Sequence, residues 1–160
     1  MKHRLKELFI DWLVISLYLA GLFAVAAMWY MWSWGGIPRF SEVQNQLIAT
    51  FTSVVPIIAL FSYLDSRGGS IGKRAAKLTI YFTNGPLVSS FIRNTIKFLP
   101  WQIGHMAVIH GMFTDFDTVS VTLMLVSCGL FLVMFYMGIA RRDKRHLGDI
   151  LAGTQVQMRK

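Results

Sequence analysis

The longest polar interval of the chain covers residues 65–97 and has the sequence DSRGGSIGKRAAKLTIYFTNGPLVSSFIRNTIK. Apolar stretches flank it on both sides. The 160-residue chain as a whole is 54% hydrophobic and 15% charged, with a mean hydropathy of +0.50. This composition is too apolar for an ordinary soluble domain, and it also excludes disordered and collagen-like chains. The sequence therefore predicts a small integral membrane protein.

Outside this interval, three stretches without Lys, Arg, Asp or Glu are long enough to cross a hydrocarbon core of about 30 Å. They are residues 12–36, 43–64 and 118–140. A fourth stretch, residues 98–114, is shorter and contains one proline, one glutamine and two histidines. Both a complete span and a re-entrant segment are compatible with it.

The distribution of basic residues favours the complete span. With four spans, 15 of the 16 Lys and Arg residues lie on one side of the membrane, and Arg39 alone lies on the other. Cytoplasmic loops accumulate Lys and Arg, so that side is expected to be the cytoplasm. We predict an all-α membrane protein in one domain, residues 1–160, with both termini cytoplasmic. It comprises a four-helix transmembrane bundle with spans at about 8–34, 43–64, 98–114 and 118–140, a cytoplasmic basic segment 65–97 and a cytoplasmic tail 141–160.

The basic segment contains patterns typical of a strand and a helix. Apolar residues alternate with polar or aromatic ones over residues 78–82, which predicts a short strand ending at an Asn-Gly turn. Residues 154–158 alternate in the same way and are the expected partner of this strand, since neither is stable alone. From Pro86 an amphipathic helix is expected, lying along the inner membrane surface with its apolar stripe toward lipid.

The basic residues of this segment indicate anionic lipid as a partner. GGSIGKR has three residues between its outer glycines where a phosphate-binding P-loop has four, so ATP binding is not expected. Lys73, Arg74 and Lys97 are instead expected to contact anionic lipid headgroups. Because the basic residues follow the membrane edges, nucleic acid is not an expected partner.

Other functional sites are not supported by the sequence. Cys128 is the only cysteine, which excludes an internal disulfide and a cysteine-based zinc site. His105 and His110 are five residues apart and therefore do not share a helix face. No nucleophile, base and orienting group can be combined from the remaining polar residues, so we expect neither an enzyme nor a bound cofactor or metal.

Asp11 is the most informative charged residue because it directly adjoins the first apolar stretch. A carboxylate at membrane depth is costly unless a cation compensates it. Arg4 lies on the same helix face two turns earlier, and Arg93 or Asn94 could also reach Asp11. Two interpretations remain open: an ion-pair network that fixes helix packing, and a proton or cation site.

These residues together resemble a known family. Arg4 and Asp11 at the first span, GGSIGKR after the second, Arg93-Asn94, and Asp149 within GDILAGT have the order and spacing of the RDD family of bacterial membrane proteins, and the resemblance covers nearly the whole chain. It implies a charged cluster formed by Arg4, Asp11, Arg93, Asn94 and Asp149. This chain departs from the family pattern at Lys77, where glycine is usual, at Gly148, where histidine is frequent, and at residues 111–117, which resemble an extra loop.

The resemblance implies a multi-pass protein of the bacterial cytoplasmic membrane that is either transport-related or accessory to other membrane proteins. The first class includes cation/proton exchange, and the second is a non-catalytic accessory or assembly subunit. A narrow four-helix bundle has little room for a solute path, so a transporter is expected to form a homo-oligomer. The small residues Ser16, Ala20 and Ala24 would allow close contact with another helix, from the same chain or from a partner.

Overall fold

The structure is a computed structural model that describes residues 2–159. It is mostly helical, with one small sheet. The elements in chain order are α1 (Lys2–Trp34), α2 (Glu42–Ala49), a π-helical turn (Thr50–Val54), α3 (Val55–Ser66), α4 (Ile71–Ala75), β1 (Leu78–Phe82), α5 (Pro86–Thr114), α6 (Thr118–Ala140), α7 (Leu147–Leu151) and β2 (Thr154–Met158).

Three helical segments are long and apolar enough to cross a membrane. They are Lys2–Trp34, the continuous helical run Glu42–Ser66 and Thr118–Ala140. Each corresponds to a span predicted from the sequence. In α1 the only buried residues are two acids, Glu7 and Asp11, whereas its large apolar side chains are exposed or half-buried. This pattern is the reverse of that in a soluble helix, and it is the pattern expected where lipid surrounds the helix.

The second of these segments is interrupted at its centre by the π-helical turn. Pro56 has no N–H, so the carbonyl of Thr52 cannot receive the usual helical hydrogen bond from it. The hydroxyl of Tyr18 in α1 donates to this carbonyl at 2.5 Å. A second polar contact joins the turn to α5, because Gln102 Nε2 donates to Thr50 Oγ1 at 2.9 Å. The turn therefore connects three helices within the apolar part of the bundle.

The helix α5 corrects the expectation of a separate surface helix. Residues 86–114 form one continuous helix of 29 residues, with no break between the predicted surface helix and the predicted span. On its polar stripe Arg93 and Asn94 are buried, whereas Ile92 and Leu99 on the apolar stripe are exposed. The helix therefore has its polar side toward the protein interior. The same continuity places residues 111–114 in the helix, so the expected extra loop is reduced to a short turn before α6.

The predicted two-stranded element is confirmed. The strands β1 and β2 pair antiparallel, with Leu78 opposite Met158, Ile80 opposite Val156 and Phe82 opposite Thr154. Their apolar side chains form a small core with Ala76. The pairing returns the end of the chain to the segment between α4 and α5, which places α7 next to α5.

The helices meet in a second small core formed by Ile57, Phe61 and Phe98, against which Tyr18 and Leu19 of α1 pack. Helix α5 packs against α3 and α6. Helix α1 instead makes its main contact with the short helix α4, near its own N-terminal end. These contacts bring the polar ends of α1, α3, α5 and α7 together, and we call this region the charged end.

Candidate functional site

The charged end contains a cluster of buried polar and charged side chains drawn from five elements and the loop before α4. Its members are Glu7 and Asp11 of α1, Asp65 of α3, Ser70 before α4, Lys73 of α4, Arg93 and Asn94 of α5, and Asp149 of α7, each at most 3% exposed. Arg4 and His146 lie at its edge, with side chains 12% exposed. We call these ten residues, the eight buried ones together with Arg4 and His146, the charged cluster.

Arg93 is the centre of the charged cluster. Its Nη1 lies 2.6 Å from Asp65 Oδ2, and its Nε lies 2.6 Å from Asp149 Oδ1. One guanidinium thus joins the end of α3 to α7 through two carboxylates. Arginine suits this position because its planar group presents donors in fixed directions and stays charged when buried.

Asp65 receives more hydrogen bonds than a single ion pair would supply. Asn94 Nδ2 donates to it at 3.1 Å and the backbone N–H of Ser70 donates at 2.9 Å, in addition to the contacts with Arg93 and Lys73. Asp65 lies in the last turn of α3, where the helix dipole disfavours a negative charge. The surrounding donors and cations compensate for this position and for burial.

Lys73 is buried among acids, although a contact with anionic lipid was predicted for it. Its Nζ lies 3.1 Å from Asp65 Oδ1 and 3.2 Å from Glu7 Oε1, and its side chain is fully buried. Burial alone would lower the pKa of Lys73, but the carboxylates of Asp65 and Glu7 outweigh it and raise the pKa above its ordinary value. An ammonium held in this way cannot reach a lipid headgroup, so the expected lipid contact is wrong for Lys73.

Asp11 is bound by neutral donors. It accepts hydrogen bonds from Ser70 Oγ at 2.7 Å and from the backbone N–H of Gly72 at 2.8 Å. Among residues 2–159 it has no basic group within ion-pair distance, which corrects the expectation of a pair with Arg4, Arg93 or Asn94. Asp11 joins the charged cluster through the start of α4.

The close approach of α1 and α4 requires glycine at position 72. A Cβ atom there would overlap the backbone oxygen of Glu7 and would lie 2.6 Å from Asp11 Oδ1. Neither approach is compatible with van der Waals contact, and the first involves backbone that cannot rotate away. The glycine in GGSIGKR therefore serves helix contact and the hydrogen bond to Asp11.

Arg4 joins α1 to the end of the chain. Its Nη1 lies 3.5 Å from Glu7 Oε2, and its Nη2 donates to the carbonyls of Val156 at 3.1 Å and Lys144 at 3.3 Å. The predicted grouping of Arg4 with Asp149 is therefore indirect. Arg4 reaches the strand that follows α7, whereas Asp149 is bound by Arg93.

Asp149 is fixed from both sides. Thr154 Oγ1 donates to Oδ1 at 2.9 Å and the backbone N–H of His146 donates to Oδ2 at 3.3 Å. Burial would raise the pKa of Asp149, but Arg93 and the hydrogen bond from Thr154 hold the pKa well below its ordinary value.

Burial and the nearby charge of Arg93 lower the pKa of His146 to about 3, so this imidazole is neutral at physiological pH.

The two remaining predicted lipid contacts lie outside the ion pairs. Arg74 is exposed, and its guanidinium donates to the carbonyls of Gly69 and Arg67. Lys97 Nζ lies 5.3 Å from the ring centroids of both Phe61 and Phe98. The lipid contact of both residues stays a prediction.

Sequence patterns alone did not reveal Glu7 and Asp65 as members of the charged cluster, nor the role of Lys73. Glu7 precedes Asp11 by four residues and therefore lies on the same face of α1, which was an available signal. Asp65 directly follows an uncharged span, as Asp11 directly precedes one. An acid at the boundary of an apolar segment indicates a cation elsewhere in the fold, and Asp65 occupies such a boundary.

The model of the RDD family matches residues 2–153. The chain belongs to the RDD family. No match was found among curated proteins or among solved structures. The matched range contains every member of the charged cluster and ends immediately before β2. RDD membership and the three apolar helices together indicate an integral membrane protein.

Lys77, where the RDD pattern usually has glycine, has a backbone φ of +56°. This is the left-handed region, which glycine enters without cost and other residues at roughly 1–2 kcal/mol. Glycine would adopt this backbone conformation without strain, whereas Lys77 adopts it at that cost. Gly148 is also explained by contact, since a Cβ there would lie 2.7 Å from the backbone oxygen of Arg93.

The chemistry available to the charged cluster follows from its contacts. Three of its four acids are bound by Lys73, Arg93 or Arg4, and the fourth, Asp11, is held by two hydrogen bonds. Within residues 2–159 there is no group of three or more His, Cys, Asp or Glu side chains placed to hold a metal ion. The arrangement can therefore fix α1, α3, α4, α5 and α7 relative to one another.

Proposed function

We propose that this RDD protein is a non-catalytic accessory or assembly subunit of a membrane protein complex, and that α1 carries the contact with other membrane helices. The observation that carries this proposal is which residues of α1 are buried and which are exposed. The helix is held by two buried acids near its N-terminal end, and it presents its long apolar part outward.

The charged cluster supports a structural role. A buried carboxylate that an arginine holds has a lowered pKa and binds protons poorly, and this description fits Asp149. Removing one partner of a buried pair would leave an unpaired charge, so such pairs hold elements together strongly once formed. The charged cluster then acts as the joint that sets the position of α1.

The outer half of α1 supplies the surface for a partner. Beyond Leu19, which packs against the central core, the exposed side chains include Phe23 at 73% and Met28 at 65%. Ala20, Gly21 and Ala24 are exposed among them, and a Cβ at Gly21 would meet no atom within 4 Å. Small residues on a lipid-facing helix allow another backbone to approach closely, which favours helix association in membranes.

The proposal includes an orientation. Four spans, with residues 98–114 of α5 as the third in chain order, place 15 of the 16 Lys and Arg residues on the side of the charged end. That side is then the cytoplasm and the membrane is the bacterial inner membrane. Both termini are cytoplasmic in this arrangement.

The test is the mass of the purified particle in mild detergent, measured for the wild-type protein, Gly21→Leu and Gly129→Leu. A Cβ at either glycine would meet no atom within 4 Å, so both positions begin with open space around them. We expect the wild-type protein and Gly129→Leu to give a particle larger than one chain, and Gly21→Leu to give the single chain. A wild-type particle of one chain in detergent and in native membranes would contradict the proposal.

Cation/proton exchange is the second candidate, and one observation favours it. Asp11 is the acid of the charged cluster that neutral donors hold. A buried acid next to an apolar helix is also a common feature of ion pathways. In this candidate Asp11 carries the proton or cation, and reconstitution into liposomes tests it.

A further inference from the structure

A cleft of about 420 Å³ lies between α1, α5 and α6, next to the charged end. This volume is within the range of small-molecule binding sites, about 300–1,000 Å³. One end is lined by polar and charged groups that include Arg4, His146 and Lys97. The rest is lined by aromatic and aliphatic side chains, among them Trp12, Trp101 and Phe131. The cleft is therefore amphipathic along its length.

The charged end of the cleft has an uncommitted cation. Glu7 also lines the cleft, but Lys73 and Arg4 bind it, and Asp65 and Asp149 bind Arg93. Lys97 makes no ion pair or hydrogen bond with any part of the chain that the structure describes, and its Nζ lies 5.3 Å from the ring centroids of Phe61 and Phe98. Its charge is thus available to an anion that enters the cleft.

The length of the cleft matches one leaflet of a membrane. Arg4 and Leu19 both line it, and at about 1.5 Å per residue they are about 22 Å apart along α1. Half of a hydrocarbon core is about 15 Å, and the headgroup region adds several ångströms. A ligand with its charge at Lys97 would therefore extend its apolar part toward the bilayer centre.

The cleft is also open to the membrane from the side. Trp12 is 58% exposed and Phe131 is 57% exposed, although both line the cleft. Helix α1 makes its main contact with α4 rather than with α5 or α6, which leaves the gap between these helices accessible. An occupant can therefore enter directly from the lipid phase.

We propose that this cleft binds one anionic phospholipid, with the phosphate at Lys97 and Arg4 and an acyl chain along the apolar wall. The occupant is a lipid of the leaflet that adjoins the charged end. Charge complementarity selects an anionic headgroup, and the apolar wall selects a lipid over a soluble phosphate. The bound lipid would fill the space between α1 and the α5–α6 pair.

The experiment uses full-length protein in nanodiscs and measures quenching of tryptophan fluorescence by brominated phosphatidylglycerol and by brominated phosphatidylcholine. The chain has five tryptophans, and in every protein used Trp29, Trp32 and Trp34 are replaced by phenylalanine. The two that remain, Trp12 and Trp101, line the cleft and report its occupancy. Lys97→Gln removes the cation, and Lys97→Arg is the matched control that keeps it. Gly138→Leu fills the cleft from α6, where a Cβ meets no atom within 4 Å, and leaves the cations in place. Native mass spectrometry of the same proteins counts retained lipids.

We expect the wild-type protein and Lys97→Arg to prefer the anionic lipid and to retain one copy. Lys97→Gln should bind it about tenfold more weakly or worse, as expected for loss of a charged contact. Gly138→Leu should lose it, and inorganic phosphate should not compete. Equal quenching by both lipids, unchanged binding in Lys97→Gln and Gly138→Leu, or displacement by phosphate alone would each overturn the proposal. So would a cross-link showing that α1 of a second copy fills the cleft.

Discussion

Substitution of Gly72 by alanine tests the junction between α1 and α4. A Cβ at this position would overlap the Glu7 backbone oxygen, so one of the two helices must move. Overpacking of this kind costs about 1–3 kcal/mol. Movement also lengthens the 2.8 Å hydrogen bond from the Gly72 N–H to Asp11, and hydrogen bonds to charged groups contribute about 1.5–3 kcal/mol. The expected loss in the free energy of unfolding is therefore about 2–5 kcal/mol.

The measurement is the thermal unfolding midpoint of the purified protein in one detergent. For a chain of this size, about 1 kcal/mol shifts the midpoint by roughly 2–4 °C, so Gly72→Ala should unfold about 5–15 °C earlier. Gly129→Ala is the matched control, because it makes the same change inside α6 where a Cβ has no neighbour within 4 Å. The control should unfold at or slightly above the wild-type midpoint, since alanine favours helix over glycine. If Gly72→Ala is as stable as Gly129→Ala, the tight contact between α1 and α4 is refuted.

Three further predictions follow from the charged cluster and the topology. Arg93→Leu removes the arginine that binds Asp149 and leaves Asp65 with Lys73 as its one cation. It should lower the free energy of unfolding by about 3–5 kcal/mol in denaturant titrations, with no effect pointing to a solvated site. His146 has a lowered pKa in the folded protein, so the unfolded chain binds a proton more readily as the pH falls. The free energy of unfolding should therefore fall from pH 6.5 toward pH 4 by roughly 1 kcal/mol per pH unit. His146→Gln should flatten this slope. In a cysteine-free background, cysteines at Ser41 and Asp115 should react with an impermeant reagent outside intact cells and one at Gln157 should not; the reverse pattern would invert the orientation.

The sequence was sufficient for features that depend on local patterns. The alternation at residues 78–82 and 154–158 predicted both strands and their pairing, because period-two burial is visible in the sequence itself. Three membrane-spanning helices followed from length and apolarity. The start of α5 followed from Pro86, since proline is favoured in the first turn of a helix.

The contacts of the charged cluster could not be predicted in the same way. Position alone made Arg4 or Arg93 a plausible partner of Asp11, yet α4 folds back against α1 and supplies Ser70 and Gly72 instead. Lys73 was expected at the surface because its neighbours in sequence are basic and glycine-rich. Its burial depends on three elements meeting, and no local pattern contains that information.

The most direct test of a structural rather than transporting role for the charged cluster is ion flux in liposomes. Purified protein is reconstituted with an imposed pH gradient, Na⁺ or K⁺ is added, and a fluorescent pH indicator follows the gradient; Asp11→Asn serves as the matched variant. If the cluster only holds the helices in place, wild-type vesicles should keep the gradient as long as protein-free vesicles do. Collapse of the gradient on addition of either ion, abolished in a folded Asp11→Asn protein, would contradict this account and identify Asp11 as the carrier of a transported ion.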